Sequence, residues 1–257
     1  MSLRLDVLMV SRGLVESRAR ARAAIESGGV TVAGRRARAA SEKVTEDTVV
    51  TVEEPYPWVG RGALKLAHAL DRWPISLNHR IVLDVGASTG GFTEVCLARG
   101  ATQVFAVDVG HGQLHRRIGA DPRVVNLERT DARTLTSDHV PNAPDVIVCD
   151  ASFISLTKIL PASLDLASET AELIALIKPQ FEAEDRGGVG KGGIVKDPAA
   201  RSAAVERVCD WLGDRGWAVR GVIESPVTGG DGNVEYLVWA THREDGHVPS
   251  EVEGSLP

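Results

Sequence analysis

Apolar residues divide the chain into two regions with different rhythms. From Ile81 onward, apolar runs at 81–86, 103–108, 123–127, 145–150, 173–178, 217–223 and 234–240 alternate with stretches of helical period. Runs of this length predict buried strands, and their alternation with helices predicts a mostly parallel sheet covered on both faces. The expected class is α/β, with a seven-stranded Rossmann-like sheet. The first 52 residues read differently. Leu5, Leu8 and Met9 stand at helical spacing, and Gly13 can end that helix. Ser17 is placed to cap a second helix, with Ala21, Ala24, Ile25 and Ala19 as its apolar stripe. "GGVTVAG" and "DTVVTV" then predict short strands, making a small α+β unit.

Between the regions, "EEPYPWVGRG" contains Pro55 and Pro57, which exclude helix and predict a semi-rigid linker over 53–60. The expected large domain is therefore 61–243. The terminal "REDGHVPSEVEGSLP" lacks periodicity and predicts a disordered tail over 244–257.

Charge follows the same division. The net charge of −6 taken alone argues against a polyanionic partner. Yet residues 1–38 hold eight arginines against Asp6, Glu16 and Glu26, an excess of +5 that leaves −11 for the rest. A basic module joined to an acidic one is implied, with Arg4, Arg18, Arg20, Arg22, Arg35 and Arg36 as candidates to contact a phosphate backbone. No apolar run approaches the roughly 18 residues of a membrane span. The opening MSLRLDVLMVSRG has charge inside its apolar stretch, unlike a signal peptide. Cys96, Cys149 and Cys209 are odd in number and widely spaced, which predicts reduced cytoplasmic thiols and neither a disulfide frame nor a metal site.

"LDVGASTGGFTE", residues 83–94, reads as a strand ending in an acid, then a glycine loop, then a helix. A dinucleotide, a nucleotide phosphate and S-adenosylmethionine are the ligands such a turn can hold. Asp108 lies 22 residues after Gly86, where a carboxylate can reach a ribose diol, as in both NAD and S-adenosylmethionine sites. The loop order discriminates between them. Ser88 replaces the second glycine of a dinucleotide fingerprint, and Asp84 would set negative charge near a pyrophosphate. A cationic sulfonium cofactor tolerates that acid. S-adenosylmethionine is the expected cofactor, with Asp84, Gly86, Ser88, Gly90, Gly91, Asp108 and Asp131 as its candidate contacts. "GGVGKGG" at 187–193 fails as a phosphate loop, because Asp185 and Gly192 occupy positions that require Gly and Ser or Thr. It reads as a mobile loop able to close over substrate.

The methyl acceptor is approached by elimination. "CDASFIS" lacks the prolines typical of enzymes acting on exocyclic base nitrogens. Cys149 could serve a cytosine-C5 mechanism, but its neighbour Asp150 would raise the thiol pKa, the wrong direction for a nucleophile. A ribose hydroxyl is a weak acid and needs a base or a cation beside it. Lys178 ends the apolar "LIALIK", and Glu235 interrupts the apolar "GNVEYLVWA". Lys65 shares a helical face with Arg61, His68 and Arg72, a face that solvation alone would explain.

Two resemblances extend this reading. "SRARARAAIESGGVTVAG", residues 17–34, resembles the alpha-L RNA-binding domain of a small-subunit ribosomal protein and several RNA-modifying enzymes. Ala33 stands where its members often have Asn or Asp. "RGALKL", "LDVGASTGGFTE", "CDASFISL", "KPQFE" and "GNVEY" resemble the TlyA family of rRNA 2′-O-methyltransferases, whose catalytic domain is FtsJ-like. That resemblance implies a methyltransferase fold and methylation of cytidine riboses in ribosomal RNA, free or within ribosomal subunits. It places a Lys-Asp-Lys-Glu tetrad on Lys65, Asp150, Lys178 and Glu235, with Lys178 as base or as a cation steadying the oxygen. It also puts Asp108 on the cofactor ribose and Asp131 beside the adenine amine. The family has carried a haemolysin label, so a membrane-active protein is one alternative. A non-catalytic ribosome-assembly factor and an NAD oxidoreductase are the others.

Overall fold

The computed structural model describes residues 2–53, 56–182, 193–229 and 232–242. The chain divides into two compact units, Met1–Pro57 and Trp58–Pro257. Pro55, the expected tail at 244–257 and all of the glycine-rich stretch except Gly193 lie outside the described residues.

In the first unit, β1 (Ser2–Arg4) runs into α1 (Leu5–Ser11), and α2 (Arg18–Ser27) follows. The strands β2 (Val30–Val32), β3 (Arg35–Arg36), β4 (Lys43–Thr45) and β5 (Val50–Val52) complete it. β1 pairs with β4, and β2 pairs with β3 and β5. The Ser17 hydroxyl accepts from the Arg20 N–H at 3.2 Å and caps α2 as its position predicted. Leu5, Leu8, Met9, Ala21, Ala24 and Ile25 form the core with Val30 and Val32. Ala19 is exposed and does not belong to the stripe. Ala33 and Gly34 join β2 to β3 at φ +47° and +78°. Two successive left-handed residues make the turn that matches strand twist, and alanine tolerates the first position less easily than asparagine.

Buried Asp6 ties the two helices of this unit together. Its carboxylate accepts from Arg4 Nε and from Arg18 Nη2, each at 2.9 Å. The Arg4 hydrogen bond, helped by Arg18, pulls the carboxyl down to about 2.

The second unit opens with α3 (Ala63–Arg72), β6 (Ile81–Val85), α4 (Gly91–Ala98), β7 (Gln103–Asp108), α5 (Arg116–Gly119) and β8 (Val124–Glu128). It continues through β9 (Val146–Cys149), α6 (Leu156–Ile159), α7 (Pro161–Asp165), β10 (Glu172–Ile177), α8 (Pro179–Glu182), α9 (Pro198–Asp214), β11 (Trp217–Glu224) and β12 (Tyr236–His242). The seven strands lie in the order β11-β12-β10-β9-β6-β7-β8. β12 alone runs against its neighbours, antiparallel to β10 and β11. Alternate residues of each central strand enter different cores. Leu83, Leu173 and Ala175 pack with Leu160, Val208 and Leu212, whereas Val82, Ile174 and Leu176 pack with Leu66, Phe92 and Val95. Burial on both faces explains why these strands read as continuous apolar runs. The chain order reverses between β6 and β9, and the carboxyl ends of those two strands open the crevice where α/β sheets bind ligands.

Replacing Asp6 by Asn is expected to destabilise the first unit by about 1–3 kcal/mol at neutral pH. The folded carboxyl titrates near 2 against about 3.9 in the unfolded chain. Its contribution is therefore complete above that unfolded value and fades as pH falls toward 2. Amide hydrogen exchange of residues 5–52 at pH 5 and pH 2.5 checks this. A gap between wild type and variant that does not shrink in acid refutes it.

Candidate active site

The loop after β6 is shaped by what it must pass. Gly86 has φ +83°, and a Cβ there would lie 3.0 Å from the Ala151 Cα, so only glycine lets the loop press against the residues following β9. Ser88, at φ +49°, turns its N–H onto Asp108 Oδ2 at 2.8 Å, while the Gly110 N–H reaches Asp108 Oδ1 at 2.7 Å. The Ser88 hydroxyl donates to Gln113 Oε1 at 3.3 Å. Asp108 thus clasps the loop while still having a lone pair free on each oxygen.

A hollow of about 510 Å³ opens beside this clasp, lined by Gly86, Ser88, Asp108 and Asp131 together with Val109 and Phe153. Val109 and Phe153 are 72% and 87% exposed, apolar groups left bare where a planar ligand can cover them. Asp131 pairs with Arg133 at 2.5 Å, and that hydrogen bond holds its carboxyl below the usual range.

A second hollow of about 300 Å³ contains Lys65, Asp150, Lys178 and Glu235. Lys65 Nζ lies 2.7 Å from Glu235 Oε2 and 3.4 Å from Asp150 Oδ2. Lys178 Nζ lies 2.6 Å from Asp150 Oδ1 and donates to Ser152 Oγ at 2.9 Å. Solvation does not account for Lys65, which is only 8% exposed and lines this hollow. Lys178 and Glu235 also sit differently from expectation. β10 ends at Ile177 and β12 starts at Tyr236, so both groups stand just outside their strands. Ile177 pairs with Tyr236. Because β12 is antiparallel, the residue before it arrives at the same sheet edge as the residues after β9 and β10.

The two hollows share Gly86, Ser88, Asp150 and Ser152. A ligand in one therefore meets a ligand in the other at the tip of β9. Gly91 lines the second hollow at the start of α4, and Gly90 at φ +91° makes the turn into that helix. Asp84 departs from its expected role as a ligand contact. It is fully buried, lines neither hollow, and accepts from Thr93 Oγ1 at 2.6 Å, bracing α4 against β6. Burial pushes its carboxyl up to about 7. Cys149 is buried as well, and burial raises its thiol to about 12, which removes it as a nucleophile.

Ser152, Phe153, Gln113 and Glu182 were not singled out from the sequence. The first two lie within the quoted "CDASFIS", beside the acid that drew attention, and their only signal is that adjacency. Buried Glu182 accepts from Ser155 Oγ at 2.6 Å and from the Leu156 N–H at 2.9 Å. It ties the turn after β10 to the turn after β9, and Phe181 packs on Phe153 at 5.2 Å between centroids.

In the first unit the candidate arginines separate into two groups. Arg4, Arg22 and Arg36 line a hollow of about 570 Å³ together with Arg38. Arg4 is also committed to Asp6, as is Arg18; Arg35 is committed to Glu42, and Arg20 lies 4.9 Å over the Tyr56 ring.

The pattern of FtsJ-like methyltransferases matches residues 58–242, and that of the S4 domain matches residues 3–50. The chain belongs to the FtsJ-like methyltransferase family. Among its relatives is the 16S/23S rRNA (cytidine-2′-O)-methyltransferase TlyA of Mycobacterium tuberculosis, 46% identical over 94% of this chain and 91% of that one. A solved structure from Streptococcus thermophilus, described as a hemolysin, is 38% identical with a TM-score of 0.75, covering 94% of this chain and 88% of its own. A Listeria monocytogenes structure, described as an S-adenosylmethionine-dependent methyltransferase, has a TM-score of 0.54 at 18% identity, over 72% of this chain and all of its own. This last likeness speaks to the fold alone, the seven-stranded, mostly parallel sheet expected from the alternating runs.

Asp84 supplies a test of the site's foundation. Its folded pKa of about 7 lies above the unfolded value of about 3.9. The folded state therefore binds the extra proton between those values, and stability falls as pH rises across that window. Asp84→Asn should remove this part of the slope. Urea unfolding of both proteins at pH 4.5 and 7.5 checks it, and parallel slopes would show that Asp84 is not protonated in the fold.

Proposed function

We propose that this protein methylates the 2′-hydroxyl of a cytidine ribose in ribosomal RNA, using S-adenosylmethionine. One observation carries the reading: two lysines and two carboxylates alternate in a hollow that joins a second one built around a strand-end acid. The name of the Mycobacterium tuberculosis relative supports the choice of acceptor and RNA.

S-adenosylmethionine suits the larger hollow on the chemistry of its walls. Gly86 leaves room for backbone approach, Asp108 retains lone pairs for a ribose diol, Asp131 can accept from an adenine amine, and Val109 and Phe153 offer apolar cover. Bound there, it supplies an electrophilic methyl on a sulfonium sulfur; transfer forms an oxygen–carbon bond, breaks the carbon–sulfur bond and releases one proton. Lys178, held against Asp150, presents a cation to the attacking oxygen and steadies the charge developing on it. The hydroxyl proton, made strongly acidic once the oxygen is alkylated, leaves through the Asp150–Lys178 pair to water. Lys65, itself held by Glu235, pairs with the other oxygen of Asp150 and keeps that carboxylate in position. In the first unit, Arg22 and Arg36 are the candidate arginines best placed to meet RNA phosphates.

Labelled-methyl S-adenosylmethionine with ribosomal subunits from cells lacking the enzyme tests the reaction. Alkaline hydrolysis should leave the label in resistant dinucleotides, because 2′-O-methylation removes the attacking hydroxyl. Label in mononucleotides would mean base methylation. Lys178→Ala should lower incorporation by about 100-fold or more while still binding S-adenosylmethionine in calorimetry. Undiminished turnover would take Lys178 out of the chemistry. Leakage of liposomes exposed to the purified protein would instead favour the membrane-active alternative. Among the described residues no helix is long and apolar enough to cross a membrane.

A further inference from the structure

The surroundings of Lys178 raise a question that the proposed reaction leaves open. An ammonium carries three N–H groups, and three oxygens surround Lys178 Nζ. They are Asp150 Oδ1 at 2.6 Å, Ser152 Oγ at 2.9 Å and the Asp150 carbonyl at 3.4 Å. Lys178 is 5% exposed, so an N–H deprived of its acceptor there would be costly. Ser152 Oγ and the Asp150 carbonyl accept hydrogen bonds from Nζ, and Asp150 Oδ1 pairs with it by charge, so the protein itself surrounds the cation. A ribose hydroxyl that comes up to Lys178 has to take the place of one of these oxygens.

The three are not equally replaceable. The Asp150 carbonyl belongs to the backbone at the tip of β9, and the Asp150 carboxylate neutralises the lysine. The third oxygen is different. Ser152 is exposed, its hydroxyl swings on a single rotatable bond, and it lines both hollows at their junction. We propose that Ser152 is a positioning residue that acts as a placeholder. Its hydroxyl occupies Lys178 in the resting enzyme and yields that place to the acceptor's 2′-hydroxyl. The inference rests on the reading of the acceptor as a ribose oxygen.

Displacement has an unusual consequence for binding. In the wild type the incoming hydroxyl exchanges one hydrogen bond to Lys178 for another. RNA lacking that hydroxyl leaves the serine–lysine bond intact and should bind almost as well. Without the serine hydroxyl, the ribose gains the lysine N–H outright, while a deoxyribose leaves it to water. Removing a protein hydroxyl should therefore make a substrate hydroxyl count.

The experiment is a double-mutant cycle between Ser152 and the 2′-hydroxyl. Full-length protein is saturated with S-adenosylhomocysteine so that no turnover occurs. The probes are an RNA fragment that the wild type labels and the same fragment with 2′-deoxycytidine at the labelled nucleotide. Dissociation constants are read by fluorescence anisotropy. The ratio of deoxy to ribo constants is expected to stay within about twofold for wild type and to rise about tenfold in Ser152→Ala. Ser152→Thr, which restores the hydroxyl, should return the ratio toward the wild-type value. Equal ratios in wild type and Ser152→Ala would overturn the placeholder role, as would a large ratio already present in wild type. S-adenosylhomocysteine binding and the unfolding temperature of each variant report whether it has folded, and Ser152→Gly serves as a second hydroxyl-free variant. Failure of the underlying reading would appear separately, as wild-type protein that leaves no alkali-resistant label, and would take the placeholder role with it.

Discussion

The alternation of charge along Glu235, Lys65, Asp150 and Lys178 is the constraint around which the catalytic unit is arranged. Four ionised groups beside an apolar sheet would each carry a desolvation penalty of several kcal/mol if left single. Linked as anion, cation, anion and cation with contacts of 2.6–3.4 Å, they compensate one another. The arrangement holds only if α3, β9, β10 and β12 all deliver their residues to one edge. Any slip in strand register would strand a charge. The network therefore specifies the packing as much as the packing positions the network.

The reversed strand β12 is what makes this delivery possible. In an all-parallel sheet, residues preceding a strand lie at the opposite edge from residues following one. β12 runs antiparallel to β10, so Glu235 arrives beside Lys178 from the other chain direction. The glycine loop meets a similar geometric demand. Gly86 lets the loop approach Ala151 closely, and Gly62 leaves space for Asp150, where a Cβ would stand 3.3 Å from Oδ2. Glu182 then locks the turns after β9 and β10 together, fixing the two strand ends that carry Asp150 and Lys178. The first unit uses the same physics on a smaller scale, with buried Asp6 held by two arginines whose charges read, along the sequence, as entirely available for RNA.

Much of the architecture was legible because burial leaves a linear trace. A strand covered on both faces must be apolar at consecutive positions, so runs such as 81–86, 103–108 and 145–150 identify themselves. Ser17 and the Ala21, Ala24 and Ile25 stripe were equally readable, since a cap and a helical face are local. The residues that misled share a cause. Ala19 sat at plausible spacing but faces solvent, and Asp84 sat at a ligand-binding offset but lies beneath the loop. Spacing along a chain says which residues are near in sequence, not which side of a turn they occupy.

The amino-acid order by itself determined the class of fold, the separation of a basic module from an acidic one, and the acids at strand ends that a cofactor would meet. These depend on local hydrophobicity, turn chemistry and charge, all of which act between neighbours. Only the tertiary structure decided that Lys65 is buried with Glu235 and Asp150, that Lys178 donates to Ser152, and that Arg4 and Arg18 spend charge on Asp6. Lys65 and Glu235 are separated by 170 residues. Contacts across such a distance are set by strand direction and register, which no local pattern encodes.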